Sequence, residues 1–593
     1  MTYKAPLAEQ IFVLETVADL AGLTRFPQFS ALAGGMASSI LEEGGRLTEG
    51  LFAPLNRRGD IEGLVWSAQG VKHPAGFADA YASYVEGGWG SLSADPEFGG
   101  QGLPFALALA FNEQLSASNM AFSLCMLLTA GAVEALSAHG SQDQKELYLP
   151  NLISGRWTGT MNLTEPQAGT DVGALRASAT PAADGSWRIK GSKIFITWGE
   201  HDLAENIVHL VLARTPGAPA GTRGISLFLV PKFLPKPSGE LGHRNDVRCV
   251  SIEHKLGIHA SPTCSMNFGD EGQCVGWLIG AEHAGMRAMF TMMNAARINV
   301  GLEGVAISDR AYQAGLAYAR ERVQSAPIGG EVPVRIIEHP DVRRMLMTLR
   351  STTQAIRALA YFNAAAIDHS RVELEEANKH SARSLADLLT PITKAYCTDQ
   401  GVEMASLAIQ IFGGTGFIEQ TGIAQHYRDI RIAPIYEGTN GIQALDLVGR
   451  KLHADGGVHW QKLINELSAM TSHLPDEGEV GVIRVSVTAS LKLLREAAEN
   501  VASLELTAAA SVATPFLTMF GIVLGASLLA KQAGVAATRL QAGEGDASFL
   551  QAKITTAAFF TEELLPRAHA LSAAIMQSSV ARLYALNEDQ LLS

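Results

Sequence analysis

The chain has 593 residues, of which 47% are hydrophobic and 18% are charged, and its formal net charge at pH 7 is -13. This length exceeds what one hydrophobic core supports, so we expect three or four packing units and no long disordered stretch. The negative charge argues against a nucleic-acid partner, because binding along a phosphate backbone needs clustered Lys and Arg.

The cysteines and histidines indicate neither disulfides nor a metal centre. The five cysteines include no C-x-x-C pair, which fits a reducing compartment. The sixteen histidines show no H-x-x-x-H or H-E-x-x-H pattern, so we predict no metal site. The first 14 residues carry Glu9 within an apolar stretch and Lys4 as their only basic residue, which does not match a signal peptide. We therefore expect a cytoplasmic protein.

The N-terminal part, residues 1–157, is expected to be a helical domain with an N-terminal extension. Residues 103–139 are rich in Ala and Leu at the spacing of packed helices. Residues 86–103 contain a cluster of glycines around Asp95 and Pro96, which is typical of a loop.

Residues 158–280 change to short β-rich runs separated by Gly, Pro and Asp turns. This pattern predicts a compact antiparallel β domain. The predicted strands are 187–197, 207–213, 225–230 and 247–252.

Residues 281–453 return to helical spacing and are expected to form a helical bundle. The predicted helices are 286–323, 341–368 and 379–411, broken by a loop at 327–333 and a turn at 413–416. Residues 454–593 are again rich in Ala and Leu and predict an additional helical domain.

Within that last domain, residues 506–530 carry no charge and are long enough to span a bilayer. Ser, Thr, Pro and Gly dilute the hydrophobicity of the segment, and uncharged Ala-rich helices also form the centres of soluble bundles. A spanning helix and a peripheral membrane contact are the alternatives. We expect a buried core helix.

Four segments carry candidate chemistry. They are M-N-L-T-E-P-Q-A-G-T-D-V at 161–172, G-S-K-I-F-I-T at 191–197, A-A-R at 295–297 with Y-A-R-E-R at 318–322, and the pair Q-I-F-G-G-T-G at 410–416 and P-I-Y-E-G-T-N-G at 434–441. Taken singly, each has a structural explanation: Gly413 and Gly414 could end a helix, and Arg322 could be a surface charge.

Together, and in this order, the segments resemble the acyl-CoA dehydrogenase family over roughly residues 50–455. The L-T-E-P-x-A-G-T-D and I-Y-E-G-T-N segments are the most specific. The resemblance implies a mainly α fold with an N-terminal helical domain, a central β barrel and a C-terminal four-helix bundle, here followed by the extra helical domain. It also implies FAD-dependent α,β-dehydrogenation of an acyl-CoA, a homodimer or tetramer, and an electron-transfer flavoprotein as electron acceptor.

The resemblance implies that Glu437 is the base that removes the α proton, a task for a carboxylate or imidazole on a rigid support. Glu437 precedes a predicted helix N-cap at Thr439 or Asn440, and favouring that helix start is its alternative role. An apolar pocket would raise its pKa. The resemblance further implies that the backbone N–H of Glu437 and a flavin hydroxyl stabilise the enolate oxygen.

For FAD, the resemblance implies contacts from both the β domain and the helical bundle. Phe195 stands where the family usually has Trp, which keeps stacking but removes the indole N–H. Arg322 matches an arginine that reaches the pyrophosphate of the neighbouring subunit's FAD. The full set is Leu163, Thr164, Thr170, Phe195, Thr197, Arg322, Gln410, Gly413, Gly414 and Thr439.

For the substrate, the candidate residues are Thr170, Arg297, Phe122, Met126, Tyr436 and Gly438. Phe122 and Met126 would form an apolar, adaptable wall. Arg297 matches a family arginine near the thioester, and a helix-surface ion pair is its alternative role. The length of the chain, with its additional C-terminal domain, resembles the bacterial subgroup that acts on 3-methylmercaptopropionyl-CoA. We expect that thioester or another short or medium acyl-CoA as substrate, with a long-chain fatty acyl-CoA as the alternative.

Two other classes of function remain open from the sequence. An acyl-CoA oxidase would use the same base but pass electrons to oxygen. A flavin-containing DNA-associated relative would need a basic C-terminal face, whereas the region after residue 455 has more Asp and Glu than Lys and Arg. We expect no nucleic-acid partner and at most a peripheral membrane contact.

Overall fold

A computed structural model describes residues 3–592 of the chain apart from Ala33, Pro237 and Ser578. Helices form the part of the chain that precedes the β domain. Asn119 separates the two longest of them and caps the second by accepting from the N–H of Phe122 at 3.1 Å. These helices are α1 Leu7–Thr16, α2 Leu20–Leu23, α3 Met36–Leu47, α4 Ala53–Glu62, α5 Phe77–Glu86, α6 Phe105–Ser118, α7 Met120–His139 and α8 Gln142–Ile153.

The expected helices within 103–139 are confirmed as α6 and α7, and both are almost wholly buried. The preceding glycine-rich segment is a loop with two short helical turns, Trp89–Ser91 and Pro96–Phe98. A small hairpin that the sequence did not indicate, β1 Val65–Ser67 with β2 Gly70–Lys72, lies between α4 and α5.

The β domain contains the four predicted strands at nearly their predicted bounds. Its strands are β3 Trp157–Asn162, β4 Ser178–Pro181, β5 Trp187–Thr197, β6 Asn206–Arg214, β7 Ile225–Pro231, β8 Phe233–Pro235, β9 Leu241–Arg244, β10 Val247–Ile252, β11 Thr263–Phe268 and β12 Val275–Ile279. The main sheet has the order β10-β11-β5-β12-β7-β6-β3, and β4 pairs with both β5 and β6. Because β4 links β5 to β6, the strands β5, β12, β7, β6 and β4 close into a small barrel.

The prediction of an antiparallel domain is wrong for two strand pairs, because both β4 and β3 pair in parallel with β6, β4 through Ser178 opposite Arg214 alone. β3 pairs in parallel with β6, from Trp157 opposite Asn206 to Asn162 opposite Val211. Parallel neighbours need a long crossover connection, and the chain through β4 and β5 supplies it. Local strand patterns carry no information about such a pairing.

After the β domain, three long helices and two short ones form a bundle. They are α9 Gly285–Glu321, α10 Pro340–Val372, α11 Glu376–Phe412, α12 Ile423–Ile430 and α13 Asn440–Asp446. α9 and α11 approach closely at Gly304, where an added Cβ would lie 2.1 Å from the carbonyl oxygen of Cys397. A buried salt bridge from Arg357 on α10 to Glu113 on α6, at 2.8 Å, joins the bundle to the N-terminal helices.

The C-terminal part consists of the helices α14 Val458–Ser472, α15 Gly478–Ser503, α16 Leu506–Ala542, α17 Ala547–Phe559, α18 Arg567–Gln577, α19 Val580–Leu583 and α20 Glu588–Leu591. α16 runs through its centre and packs on α11, where an added Cβ at Gly521 would meet the ring of Tyr396 at 2.3 Å. A buried salt bridge of 2.6 Å between Lys553 and Glu9 ties α17 to α1.

Two helices, Met120–His139 and Leu506–Ala542, are long and apolar enough to cross a membrane by length and composition alone. Most of each is buried inside the fold, with 83% of the apolar window of the second covered by protein. The expectation that the uncharged segment is a buried core helix is therefore confirmed.

Candidate active site

The I-Y-E-G-T-N motif forms the turn between α12 and α13. Glu437 has φ +57° and Gly438 has φ +84°, so two successive residues adopt left-handed backbone. The hydroxyl of Thr439 accepts from the N–H of Ile442 at 3.3 Å and caps α13, as expected. Left-handed backbone is strained for a glutamate, and such strain persists only where the surroundings hold it.

Two buried cations hold this turn from neighbouring helices. The Nε of Arg297 on α9 donates to the carbonyl oxygen of Glu437 at 3.1 Å. The Nζ of Lys394 on α11 donates to the carbonyl oxygen of Gly438 and to Oδ1 of Asn440, both at 2.8 Å. Arg297 is only 7% exposed, so a helix-surface ion pair does not describe it.

The carboxylate of Glu437 lies in a site that favours its neutral form. Its Oε2 is buried and has no hydrogen-bond partner among the described residues. Burial raises the pKa of Glu437 to about 7, although the charges of Arg297 and Lys394 oppose the rise. Burial also lowers the pKa of Lys394 to about 8. A carboxylate tuned in this way can accept a proton near neutral pH.

A second buried carboxyl, which the sequence analysis did not single out, lies beside this turn. The hydroxyl of Tyr436 donates a short hydrogen bond to Oε2 of Glu303 on α9. Glu303 is fully buried, as is Lys394. The sequence signal for Glu303 and for Lys394 is a single charged residue within an apolar helical stretch. Glu and Lys are rarely buried without a partner, so such a residue marks a candidate buried polar contact.

A cavity of about 670 Å³ lies between α6, α7 and α9. Its apolar wall includes Trp89, Phe105 and Met126. Asn112 and Asn299 also line it, and their side chains are joined by a hydrogen bond of 3.1 Å. Met126 thus lines a cavity, and its role in substrate binding stays a prediction.

Phe122 has a different environment from Met126. It is fully buried, with its ring 4.5 Å from that of Phe52 and in edge contact with Trp198. Phe122 therefore supports the core behind the cavity wall. It is absent from the lining of the cavities found within the described part of the chain.

The same cavity is lined by basic side chains at the ends of three helices. Arg287 on α9 and Arg383 on α11 are exposed, and neither forms an ion pair within the residues that the structure describes. Arg371 on α10 is paired with Glu134 at 2.9 Å. Glu134 and Asp387 also line the cavity, so its three arginines leave a small excess of positive charge that suits an anionic ligand.

The first two motifs meet at one edge of the β domain. Lys193 donates to the carbonyl oxygen of Leu163 at 3.0 Å, and the N–H of Ile194 donates to that of Thr164 at 2.9 Å. Beside them, Phe195 has φ +58° and is 59% exposed. An exposed aromatic ring held by strained backbone offers a flat surface on which a planar ligand can stack.

A buried ion pair holds the loop that carries Thr170 against the β domain. Lys193 and Glu165 lie 2.8 Å apart, and Glu165 also accepts from the N–H groups of Arg176 and Ala177. Thr170 is exposed, and Thr197 is half-buried next to Phe195. Hydroxyl groups and an exposed ring thus share one surface, and these residues fit a flavin.

The remaining predicted cofactor residues lie at one end of the bundle. Tyr318 near the end of α9 stacks on Phe412 at the end of α11, with ring centroids 4.1 Å apart. This contact brings the segment with Arg322 close to the Gly413–Gly414 turn. The exposed residues at this end are Gln410, Gly413, Gly414 and Arg322. A Cβ added at either glycine would meet nothing within 4 Å, and Arg322 has no ion pair among the described residues. Open backbone beside an unpaired guanidinium group fits a dinucleotide phosphate.

One group of possible metal ligands also comes together. Ligand atoms of His380, Asp455 and His459 lie within 4.8 Å of one another. Oδ2 of Asp455 is 3.2 Å from His380 and 2.5 Å from His459. These hydrogen bonds account for the arrangement without an ion, and the absence of a metal centre stays a prediction.

Comparisons with known proteins cover nearly the whole chain. Residues 65–156, 160–270 and 283–452 match the N-terminal, middle and C-terminal domain families of acyl-CoA dehydrogenases. Residues 463–583 match a family described as acetyl-CoA dehydrogenase C-terminal like.

Individual proteins show the same similarity at full length. The chain is 46% identical to 3-methylmercaptopropionyl-CoA dehydrogenase of Ruegeria pomeroyi, over 95% of this chain and 96% of that protein. It is 35% identical to a broad-specificity linear acyl-CoA dehydrogenase of Mycobacterium tuberculosis, over 95% and 96%. An acyl-CoA dehydrogenase of Bacillus anthracis, solved in complex with FAD, superposes with a TM-score of 0.75 at 20% identity, over 95% and 90%.

Proposed function

The chain belongs to the acyl-CoA dehydrogenase family, and from this premise we propose that it is an FAD-dependent enzyme that dehydrogenates a short or medium acyl-CoA, with Glu437 as the base. The reaction introduces an α,β double bond into the acyl thioester.

The observation that carries the proposal is the state of the Glu437 carboxyl. Its Oε2 is buried and has no hydrogen-bond partner in the described part of the chain, and buried Arg297 and Lys394 hold its turn in a strained conformation. An oxygen that only served to cap a helix would be bonded to backbone N–H groups. Instead, the oxygen is free to take a proton from a substrate.

The residues of the chain divide the work of the reaction. Glu437 takes the α proton from the substrate, and its raised pKa of about 7 makes it a stronger base than a solvated glutamate. Its backbone N–H has no acceptor among the described residues and is available to a developing enolate oxygen. When bound, FAD supplies the acceptor for the hydride that leaves the β carbon.

The predicted cofactor residues hold and orient the flavin. Phe195 offers its exposed ring, while Leu163, Thr164, Thr170 and Thr197 line the adjoining edge of the β domain. Thr439 is exposed at the start of α13. Gln410, Gly413 and Gly414 lie close to Arg322, and we assign this group to the phosphate end of the FAD held by a second copy of the chain.

The substrate that we propose is 3-methylmercaptopropionyl-CoA or another short or medium acyl-CoA. The 46% identity to the Ruegeria pomeroyi enzyme supports this choice. The hydrogen-bonded pair of Asn112 and Asn299 in the cavity lining supports it as well, because a long alkyl chain would have to cover these amides. Arg287 and Arg383 suit the phosphates of CoA, and Arg297, Tyr436 and Gly438 surround the reacting end.

We further propose a cytoplasmic homodimer that passes electrons to an electron-transfer flavoprotein. Exposed apolar side chains next to Arg322 and the glycine turn support the dimer: Ile328, Val332 and Phe417 are 99%, 72% and 89% exposed. Such a cluster on a folded surface is typical of a protein interface. A tetramer built from two dimers is compatible with the same contact.

The test is anaerobic titration of the purified enzyme with acyl-CoAs from methylmercaptopropionyl to palmitoyl, followed at roughly 450 nm, the region of oxidised flavin absorbance. Bleaching by a short or medium thioester supports the proposal, and the order of the thioesters sets the chain-length preference. If only long chains bleach the band, the long-chain alternative replaces our substrate. Rapid reoxidation in air would favour an oxidase.

A further inference from the structure

Glu303 lies at a close contact between α9 and α11. Its neighbours Gly301 and Gly304 leave no space for side chains, since an added Cβ would lie 2.8 Å from Thr393 and 2.1 Å from Cys397. The carboxyl is fully buried as a result. Its Oε2 accepts from Tyr436, and its Oε1 has no partner among the described residues.

The charged groups around Glu303 come from both packed elements. Lys394 faces it from α11, and Tyr436 and Glu437 face it from the turn before α13. Burial dominates and raises the pKa of Glu303 to about 8, with Glu437 adding to the rise and the Tyr436 hydrogen bond and Lys394 opposing it. Burial therefore favours the neutral form of Glu303.

The turn that carries Glu437 needs anchors on each side. Arg297 binds the carbonyl oxygen of Glu437, and Lys394 binds that of Gly438. On the preceding side, the N–H of Tyr436 donates to the carbonyl oxygen of Ile432 at 3.1 Å, and the side-chain anchor is the hydrogen bond from Tyr436 to Glu303. Strained backbone relaxes when one of its restraints is removed, and a shift of about 1 Å at a reacting group can cost roughly 10²-fold in rate.

We infer that Glu303 is a positioning residue for proton abstraction: its carboxyl holds the hydroxyl of Tyr436 and thereby fixes the backbone that aims Glu437 at the substrate. The inference rests on the proposed role of Glu437. Burial favours the neutral form of Glu303, in which the carboxyl anchors Tyr436 without placing a second negative charge beside the base.

The test is a double-mutant cycle on the holoenzyme. Glu303→Leu and Tyr436→Phe each remove the hydrogen bond, and each should slow flavin reduction about tenfold, the effect of one lost buried hydrogen bond. The KM of Glu303→Leu should stay within about threefold, since the buried Glu303 carboxyl is not among the proposed substrate contacts. The double variant should be no slower than either single variant, because both act through one contact.

Two further measurements separate positioning from general stability. An α-deuterated substrate should show a larger isotope effect in the single variants, since proton removal becomes more rate-limiting. Glu303→Gln keeps an acceptor for Tyr436 and should restore the rate to within about threefold of the wild type, because the hydrogen bond is preserved.

A matched control lies elsewhere in the core. The hydroxyl of Tyr361 donates to Oε2 of buried Glu113 at 2.7 Å, and this pair does not touch the Glu437 turn. Tyr361→Phe should leave the reduction rate and the isotope effect unchanged.

The outcomes distinguish the two claims. Additive losses in the double variant, or normal rates in both Tyr436→Phe and Glu303→Leu, would overturn the inference while Glu437→Gln still lacks activity. Near-normal turnover in Glu437→Gln would overturn the proposed base itself. If Glu303→Leu does not fold, the Tyr436→Phe and Glu303→Gln variants still decide the question.

Discussion

Replacing Glu437 with Gln should stabilise the enzyme against unfolding while removing its turnover. Burial raises the pKa of Glu437 from 4.5 to about 7, so the folded chain holds the carboxylate less well than the unfolded chain does. The two pKa values differ by about 2.5, and at ~1.4 kcal/mol for each unit the cost is at most ~3.5 kcal/mol. The residue as a whole keeps some exposure, so we expect about half of that.

The sign of the effect fixes its dependence on pH. At and below pH 4 the carboxyl is mostly protonated in both the folded and the unfolded chain, so it does not lower the free energy of unfolding. The cost grows as pH rises from 4.5 to 7 and is complete above pH 7. The gain in stability of Glu437→Gln should therefore be near zero at pH 4, small at pH 5 and full at pH 8. The amide keeps the shape of the side chain and the backbone strain, so those contributions cancel.

The assay is urea unfolding of both holoenzymes at pH 5 and pH 8, together with flavin reduction by acyl-CoA. Glu544→Gln, at an exposed loop position, is the control and should show no gain at either pH. We expect flavin binding to persist in Glu437→Gln and its reduction to slow by roughly 10²- to 10⁴-fold, the contribution of a general base. An equal gain at both pH values, or a less stable variant at pH 8, would refute the reasoning.

Three further changes test the surroundings of the base and the flavin surface. Gly438→Ala places a Cβ 2.8 Å from Gln443 on backbone with φ +84°, so turnover should fall at least about tenfold with flavin content unchanged, as steady-state assays would show. Lys394→Met removes a cation that lowers the pKa of Glu437, so the half-maximal pH of flavin reduction should move upward; a downward shift would contradict this. Phe195→Ala should increase flavin loss on dialysis, measured from the absorbance at about 450 nm, because it removes the exposed ring. The control Tyr584→Ala removes another exposed aromatic ring and should lose no more flavin than the wild type.

Much of the fold follows from local sequence patterns. Strands 187–197 and 247–252 lie at their predicted bounds, since alternating β-rich runs between turn residues specify strands directly. The long helices end within a few residues of the predicted positions because glycine and proline mark where helical spacing stops. The parallel pairing of β3 with β6 could not be predicted, because it joins segments that are about 45 residues apart.

The sequence by itself determined the family, the mainly α architecture with its β domain, and the candidate base, because short motifs such as I-Y-E-G-T-N keep their residue types and order along the chain. Only the tertiary structure decided what surrounds the base. Glu303 and Lys394 are distant from Glu437 in sequence and reach it because α9 and α11 pack against the same turn. The burial that raises the pKa of Glu437 exists only once these helices exclude water, and no local pattern encodes that exclusion.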